Sequence, residues 1–298
     1  VQIYASLGYD DVIARDFDLI VSNIPGKAGA SVISSLLQNA RYFLRPGGLV
    51  AVVVVAPLEA LVVETLNAAD ADIVFHEARP QHVIFHYRFS GGPGQDRPER
   101  NAFDRDVYLQ ENLAISFRDV EFSLQTAWGL PEAESIGPQS RLLMTGLLAL
   151  EATHPERVVL FNAGQGYMPV AAWTLLAPDE IVLVDRDLLS LRYSHRNLVH
   201  NECPGQNITL LHQAGILPPN GELADLVIGT LREDDTQPIA LLTLKQAAQQ
   251  LAPNGTILLA VSSTAATRLT KQIQSEKSLQ IKDRKRSKGS SLLILGLK

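Results

Sequence analysis

The chain carries most of one pattern twice. Asp18-Leu19-Ile20-Val21 returns as Asp225-Leu226-Val227-Ile228, and Leu44-Arg45-Pro46-Gly47-Gly48 returns as Leu251-Ala252-Pro253-Asn254-Gly255. Residues 18 and 225 lie 207 apart, as do residues 44 and 251. The same offset sets Gly8 on Gly215, Val54 on Val261, Arg79 on Arg286, and Val83-Ile84-Phe85 on Ser290-Ser291-Leu292. It also sets Val1 on Ile208, so nothing in copy one answers to the stretch from Arg157 to Asn207. Two related units are therefore expected, the first lacking its front half.

A length of 298 residues gives each unit room for a core. A hydrophobic content of 46% with 19% charged residues describes a globular chain. The longest apolar run, Leu49 to Pro57, is too short to cross a bilayer. The single cysteine, Cys203, rules out an internal disulfide and a cysteine-cluster metal site, and it suits a reducing, cytoplasmic setting. No metal-ligand spacing stands out, and His195 and His200 read as surface histidines. A net charge of −6 argues against coating nucleic acid by bulk charge but leaves a local basic patch open.

The expected domains are residues 1–90, a linker and border strand at 91–131, and a complete second domain at 132–298. Gly91 to Pro98 is rich in Gly, Pro and charge, as linkers are. Val120, Phe122 and Leu124 alternate as a strand does. Copy two then alternates between helix and strand. Arg141 to Ala152 is helical, and Val158 to Phe161 is the first buried strand. Ile181 to Val184, Ile208 to Leu211, Leu226 to Ile228 and Ile257 to Val261 follow as strands. Leu188 to His200 and Ile239 to Leu251 are helices. Leu279 to Ile281 and Leu292 to Leu295 make a terminal hairpin around a polar turn. The fold class is thus α/β, with two Rossmann-like doubly wound domains that each end in an antiparallel hairpin. In copy one, Val1 to Tyr4 is expected as the third strand, Phe17 to Ser22 as the fourth and Leu49 to Val55 as the fifth. His76 to Phe89 is its hairpin. Without first and second strands, the apolar fourth strand would expose an unpaired edge. A missing N-terminal segment or a partner is expected to cover it.

The first strand of copy two ends in Asn162-Ala163-Gly164-Gln165-Gly166-Tyr167. Glycines here let backbone approach a ligand and turn into a helix N-terminus. Asp185 ends the second strand, where an acid can accept from ribose hydroxyls. A tight turn with no ligand is the alternative reading of the loop. The pattern resembles class I S-adenosylmethionine-dependent methyltransferases, whose loop reads acid-x-Gly-x-Gly-x-Gly. Here Asn162 replaces the acid and Met168 the third Gly. The stretch from Phe122-Ser123 through Gly137-Pro138-Gln139-Ser140-Arg141, with Arg196-Asn197-Leu198 and Asn201, resembles small-subunit ribosomal RNA guanine-N2 methyltransferases, also tandem duplications. The resemblance implies S-adenosylmethionine as cofactor, held by Asn162, Ala163, Gly164, Gln165, Gly166, Asp185 and Gln213, with Gln213 at adenine. It implies an RNA partner, rRNA above all.

Amino-directed members carry Asn-Pro-Pro-aromatic after the fourth strand, where two oxygens orient the target amine. Copy one reads Asn23-Ile24-Pro25-Gly26, which makes Asn23 and Pro25 the catalytic candidates. Copy two reads Thr230-Leu231-Arg232-Glu233 and has lost Asn and both prolines. Three readings follow: methyl transfer to a guanine amine of RNA, a degenerate pair that binds RNA or a partner, and methylation of a small molecule. The run Lys282-Asp283-Arg284-Lys285-Arg286-Ser287-Lys288 is read as a solvated turn, with RNA phosphates as the alternative.

Overall fold

The structure is a computed structural model, and it describes residues 1–90, 98–118, 120–232, 235–275 and 278–298. It divides into two compact units, Val1–Gln110 and Glu111–Lys298. The division runs through the segment expected as linker and border strand. Residues 91–97 of that linker lie outside the described residues. Residues 98–110 belong with unit 1. The Ala102 and Phe103 amides donate to the Asp10 carboxylate at 2.7 and 2.9 Å, and Ser31 Oγ donates to the Val107 carbonyl at 2.8 Å.

Unit 1 runs β1 (Phe17–Asn23), α1 (Ala30–Asn39), β2 (Leu44–Val55), α2 (Glu59–Ala68), β3 (Ala71–Ala78) and β4 (His82–Phe89). Its sheet order is β1-β2-β4-β3, with β1 parallel to β2 and the other pairs antiparallel. Val1 to Tyr4, expected as a strand, has no regular structure and is exposed. This corrects the repeat alignment there. A third strand needs a second strand to pair with, and the described residues of unit 1 provide none.

Unit 2 opens with β5 (Leu109–Phe117), which begins at the border, and β6 (Val120–Ala127). Then come α3 (Pro138–Leu148), β7 (Arg157–Phe161), α4 (Tyr167–Leu176), β8 (Glu180–Asp185), α5 (Leu188–His200) and β9 (Ile208–His212). The chain closes with β10 (Ala224–Thr230), α6 (Gln237–Gln249), β11 (Leu251–Ser262), α7 (Ser263–Ser275), β12 (Leu279–Ser287) and β13 (Ser290–Leu297). The sheet order is β12-β13-β11-β10-β7-β8-β9. The five strands from β11 to β9 are parallel, and β13 and β12 close the other edge antiparallel.

Alternation along β7 sends Val158 and Leu160 into one buried cluster and Val159 and Phe161 into the other. The first cluster holds Leu143 and Leu147 of α3, Val170 of α4 and Leu198 of α5, together with Phe122 and Leu124 of β6. The second holds Leu244 of α6 and Leu269 of α7. Two covered faces explain why the parallel strands read as continuous apolar runs.

The repeat is visible in the backbone. The bounds of β1 and β2 become those of β10 and β11 on adding 207. Both pairs break register at the same place, between Phe17 and Leu19 and between Ala224 and Leu226. In the hairpin the offset changes to 208. Val54 faces Val83, whereas its counterpart Val261 faces Ser291, so Val83 matches Ser291 and not Ser290. One inserted residue after β11 accounts for the shift. The basic run is also corrected: Lys282 to Ser287 is edge strand β12, and the turn is only Lys288-Gly289.

Candidate cofactor site

The strand order reverses at β7, which has β8 on one side and β10 on the other. Ligands of open α/β sheets lie at the carboxyl ends of strands at such a switch point. A cavity of about 580 Å³ lies there. It is lined by Asn162, Ala163, Gly164 and Gln165 after β7, by Asp185 at the end of β8, and by Thr230, Leu231 and Arg232 after β10. Leu130 to Glu132 and Pro138 to Ser140 form its other wall.

The turn out of β7 is built from left-handed residues. Asn162, Gly164 and Gly166 have φ of 51°, 57° and 93°. Asn tolerates that region as Asp does, which fits the replacement of the family acid by Asn162. Gly166 is required for a second reason: a Cβ there would stand 3.0 Å from Ser194 Cα of α5. Gln165 is buried and is a brace for the wall. Its amide donates to the Ala127 and Leu130 carbonyls at 3.1 and 3.2 Å, and its oxygen accepts from the Ala127 amide at 2.8 Å. Tyr167 adds a 2.9 Å bond from its hydroxyl to the Glu132 carbonyl. Burial pushes its phenol up to about 12. Asn197 completes the brace, donating to the Gln165 and Gln125 carbonyls at 2.8 and 2.9 Å. These ties hold the segment after β6 over the glycine turn.

Asp185 is only 3% exposed. Its carboxylate accepts from the Asp187 amide at 3.0 Å and the Ser190 hydroxyl at 2.8 Å, and it pairs with the Arg232 guanidinium. Burial raises its pKa above the ordinary value, against the lowering effects of the Asp187 amide, Arg232 and Ser190. Arg232 Nε also donates to Asn162 Oδ1 at 3.0 Å, and Asn162 Nδ2 donates to the Thr230 carbonyl at 2.8 Å. One arginine thus joins Asn162 and Asp185, two of the polar residues that were expected to hold cofactor. Its place at the Pro25 position of the repeat was readable in the sequence, but its reach to Asp185, 47 residues away, was not.

Two expected groups lie elsewhere. Gln213 does not line the cavity, and its amide is used on the Gly215 and Leu217 carbonyls at 3.0 and 2.8 Å. Its side chain is thus tied into the loop that joins β9 to β10. Asn23 ends β1 in unit 1 and Pro25 lies just beyond it, and both are exposed. The Pro25 carbonyl accepts from the Ala28 amide at 3.2 Å, and Ile24 between them is buried. Among the described residues, no group of three or more His, Cys, Asp or Glu is placed to hold a metal ion. No helix among them is long and apolar enough to cross a membrane.

No family model matches the sequence, and no curated protein matches it. Solved structures do. The chain is similar to the Thermus thermophilus 16S rRNA N2 G1207 methyltransferase, solved with AdoMet and guanosine, with TM-score 0.69 and 18% identity over 96% of this chain and 74% of that one. The fold is a methyltransferase fold. A ribosomal protein L11 methylase from Lactobacillus delbrueckii subsp. bulgaricus matches at TM-score 0.47 and 19% identity, over 55% of this chain and 80% of that one. An rRNA methylase from Streptococcus thermophilus matches at TM-score 0.44 and 12% identity, over 54% and 98%. Both of these are too distant to carry more than the likeness itself.

Proposed function

We propose that the protein is an S-adenosylmethionine-dependent methyltransferase that takes its cofactor in unit 2 and acts on an exocyclic amine of RNA, guanine N2. The observation that carries the cofactor reading is the cavity at the switch point with a buried carboxylate at the end of β8. Its volume of about 580 Å³ lies in the range of small-molecule and cofactor sites. The donor set fits an adenosyl group. Asp185 accepts from ribose hydroxyls once Arg232 releases it, and Asn162 and the open side of Gly164 border the path of the chain that bears the sulfonium. When bound, S-adenosylmethionine supplies an electrophilic methyl group. The residues of this chain orient the ligand and keep water out, and no strong base is needed for an amine nucleophile that is correctly placed. The RNA and guanine parts of the reading rest on the likeness to the Thermus enzyme; Asn23 and Pro25 would orient an amine only for transfer in unit 1.

A second reading is binding without transfer, and one observation favours it. Thr230-Leu231-Arg232 stands at the cavity where amine-directed relatives place Asn and two prolines, and Arg232 is engaged with Asp185. Radiolabelled S-adenosylmethionine with small-subunit rRNA, followed by digestion to nucleosides, decides between them. Label in N2-methylguanosine supports the first reading. Cofactor binding with no label in any nucleoside rejects it in favour of the second.

A further inference from the structure

A second concavity of unit 2 adjoins the first. It has a volume of about 420 Å³ and is lined by Phe117, Ile136, Pro138, Arg141, Leu142, Thr145, Ser287 and Lys288. Pro138 lines both concavities, and Ser290, one turn beyond Ser287, lines the cofactor cavity. The floor is apolar with one aromatic ring, and the rim is cationic. Lys285 does not line the cleft but stands on the same sheet face. It faces Leu292 across the hairpin, Leu292 lies in the α3-side core, and cross-strand partners share a face. Among the described residues, Lys285, Arg286 and Lys288 have no ion pair or hydrogen-bond partner. Arg284 faces Leu293 of the other cluster, and its Nη2 donates to Ser291 Oγ at 3.2 Å. Burial, and then the neighbouring Arg286 charge, hold the Arg284 guanidinium below its ordinary value.

The fold does not require this charge. In unit 1 the matching hairpin strand β3 reads Ala-Asp-Ile-Val-Phe-His-Glu-Ala, with two acids and no Lys or Arg. In β12 the same element carries Lys282, Arg284, Lys285 and Arg286 against one acid, Asp283. A net charge of −6 for the whole chain makes the local excess a strong contrast. Strand β12 is also an outer strand, paired only with β13, and repeated positive charge on a sheet edge opposes pairing with another strand. An apolar, aromatic floor with cations along one rim suits an unstacked base with its phosphates, and single-stranded RNA is recognised in that way.

We propose that this cleft is a nucleotide subsite for single-stranded RNA, which seats a base flanking the target against Phe117 and its phosphates on Arg141, Lys285 and Lys288. The inference rests on the reading of the protein as an RNA methyltransferase and adds where the strand lies. The test is fluorescence anisotropy of a labelled single-stranded oligouridylate across a salt series, with a duplex of equal length as comparison. Wild-type protein binds the single strand more tightly than the duplex. Lys285→Glu combined with Lys288→Glu weakens binding by roughly tenfold or more and lowers the salt slope by about 1.4, two phosphate contacts' worth. Phe117→Leu, which keeps the packing, weakens binding about fivefold with the salt slope unchanged. Affinity and slope unchanged in the charge-reversed protein, or equal binding of duplex, overturns the proposal. Methyl transfer is measured on the same proteins. Salt-dependent binding through these lysines without transfer leaves the subsite standing and sinks the enzymatic reading; transfer to RNA with lysine-independent binding does the reverse.

Discussion

Strands β1 and β10 are the same strand in two surroundings. Val21 of β1 is 72% exposed, while its counterpart Ile228 of β10 is fully buried. The difference is β7, which pairs with β10 in register from Leu226↔Val158 to Gly229↔Phe161. The neighbouring side chains have adjusted to it. The Asp225 carboxylate accepts from the Glu156 and Arg157 amides at 2.9 and 3.1 Å, fixing the entry to β7. Asp18, at the same place in unit 1, forms a salt bridge at 2.5 Å with Arg45. Gly229 lies under the Phe161 ring, where a Cβ would come within 2.4 Å, and unit 1 has Ser22 there. One sequence pattern thus serves as a core strand in unit 2 and as a sheet edge in unit 1.

The largest predicted contrast is the matched pair Ile228→Asp and Val21→Asp. The first buries an unpaired charge and is expected to cost more than about 4 kcal/mol, enough to unfold unit 2. The second changes stability by about 0.5 kcal/mol or less in the isolated chain. Denaturant unfolding followed by circular dichroism reads both, and equal effects would break the comparison. Next comes Gly229→Ala, expected to cost about 1–3 kcal/mol through overpacking on Phe161, against a near-neutral Ser22→Ala. A harmless Gly229→Ala would mean that Phe161 yields freely.

The cofactor site gives smaller, opposed effects. Asp185→Asn is expected to weaken S-adenosylmethionine binding by roughly 10–100-fold, the loss of a hydrogen bond to a charged group. Its folded pKa is raised above 3.8, so the native state binds this proton more tightly than the unfolded chain does. The cost of the charged carboxylate is therefore fully present above the folded pKa, and it is relieved as pH falls from there toward 3.8. At neutral pH the Asn variant should be within about 1 kcal/mol of wild type in stability, or above it, and that difference should shift against the variant on acidification. The smallest effect is Arg232→Met. Releasing Asp185 from a partner that is 28% exposed should tighten S-adenosylmethionine binding by up to about fivefold. Weaker binding would show that Arg232 touches the ligand and does not compete with it.

Much of this was legible in the sequence, and the limits have physical causes. The continuous apolar runs from Val158 to Phe161 and from Ile257 to Val261 announced buried parallel strands, because both their faces are covered. Helix α7 was missed, since Ser263-Thr264-Ala265-Ala266-Thr267 carries a weak apolar signal in sequence and Ala266, Leu269 and Ile273 are its residues buried in the core, with Ala265 packed at the margin. The basic run looked like a turn because strands on an exposed edge need little hydrophobicity. Gln165 was readable as part of the glycine turn, but its side-chain bonds to Ala127 and Leu130 are set by tertiary packing that no local pattern encodes.

The central claim is that unit 2 holds the cofactor through the carboxylate at the end of β8. Isothermal titration of S-adenosylhomocysteine into wild-type and Asp185→Asn protein addresses it directly. The account predicts one site per chain in the wild type and affinity lower by roughly 10–100-fold in the variant. No binding to the wild type, or equal affinity in the two proteins, would contradict it.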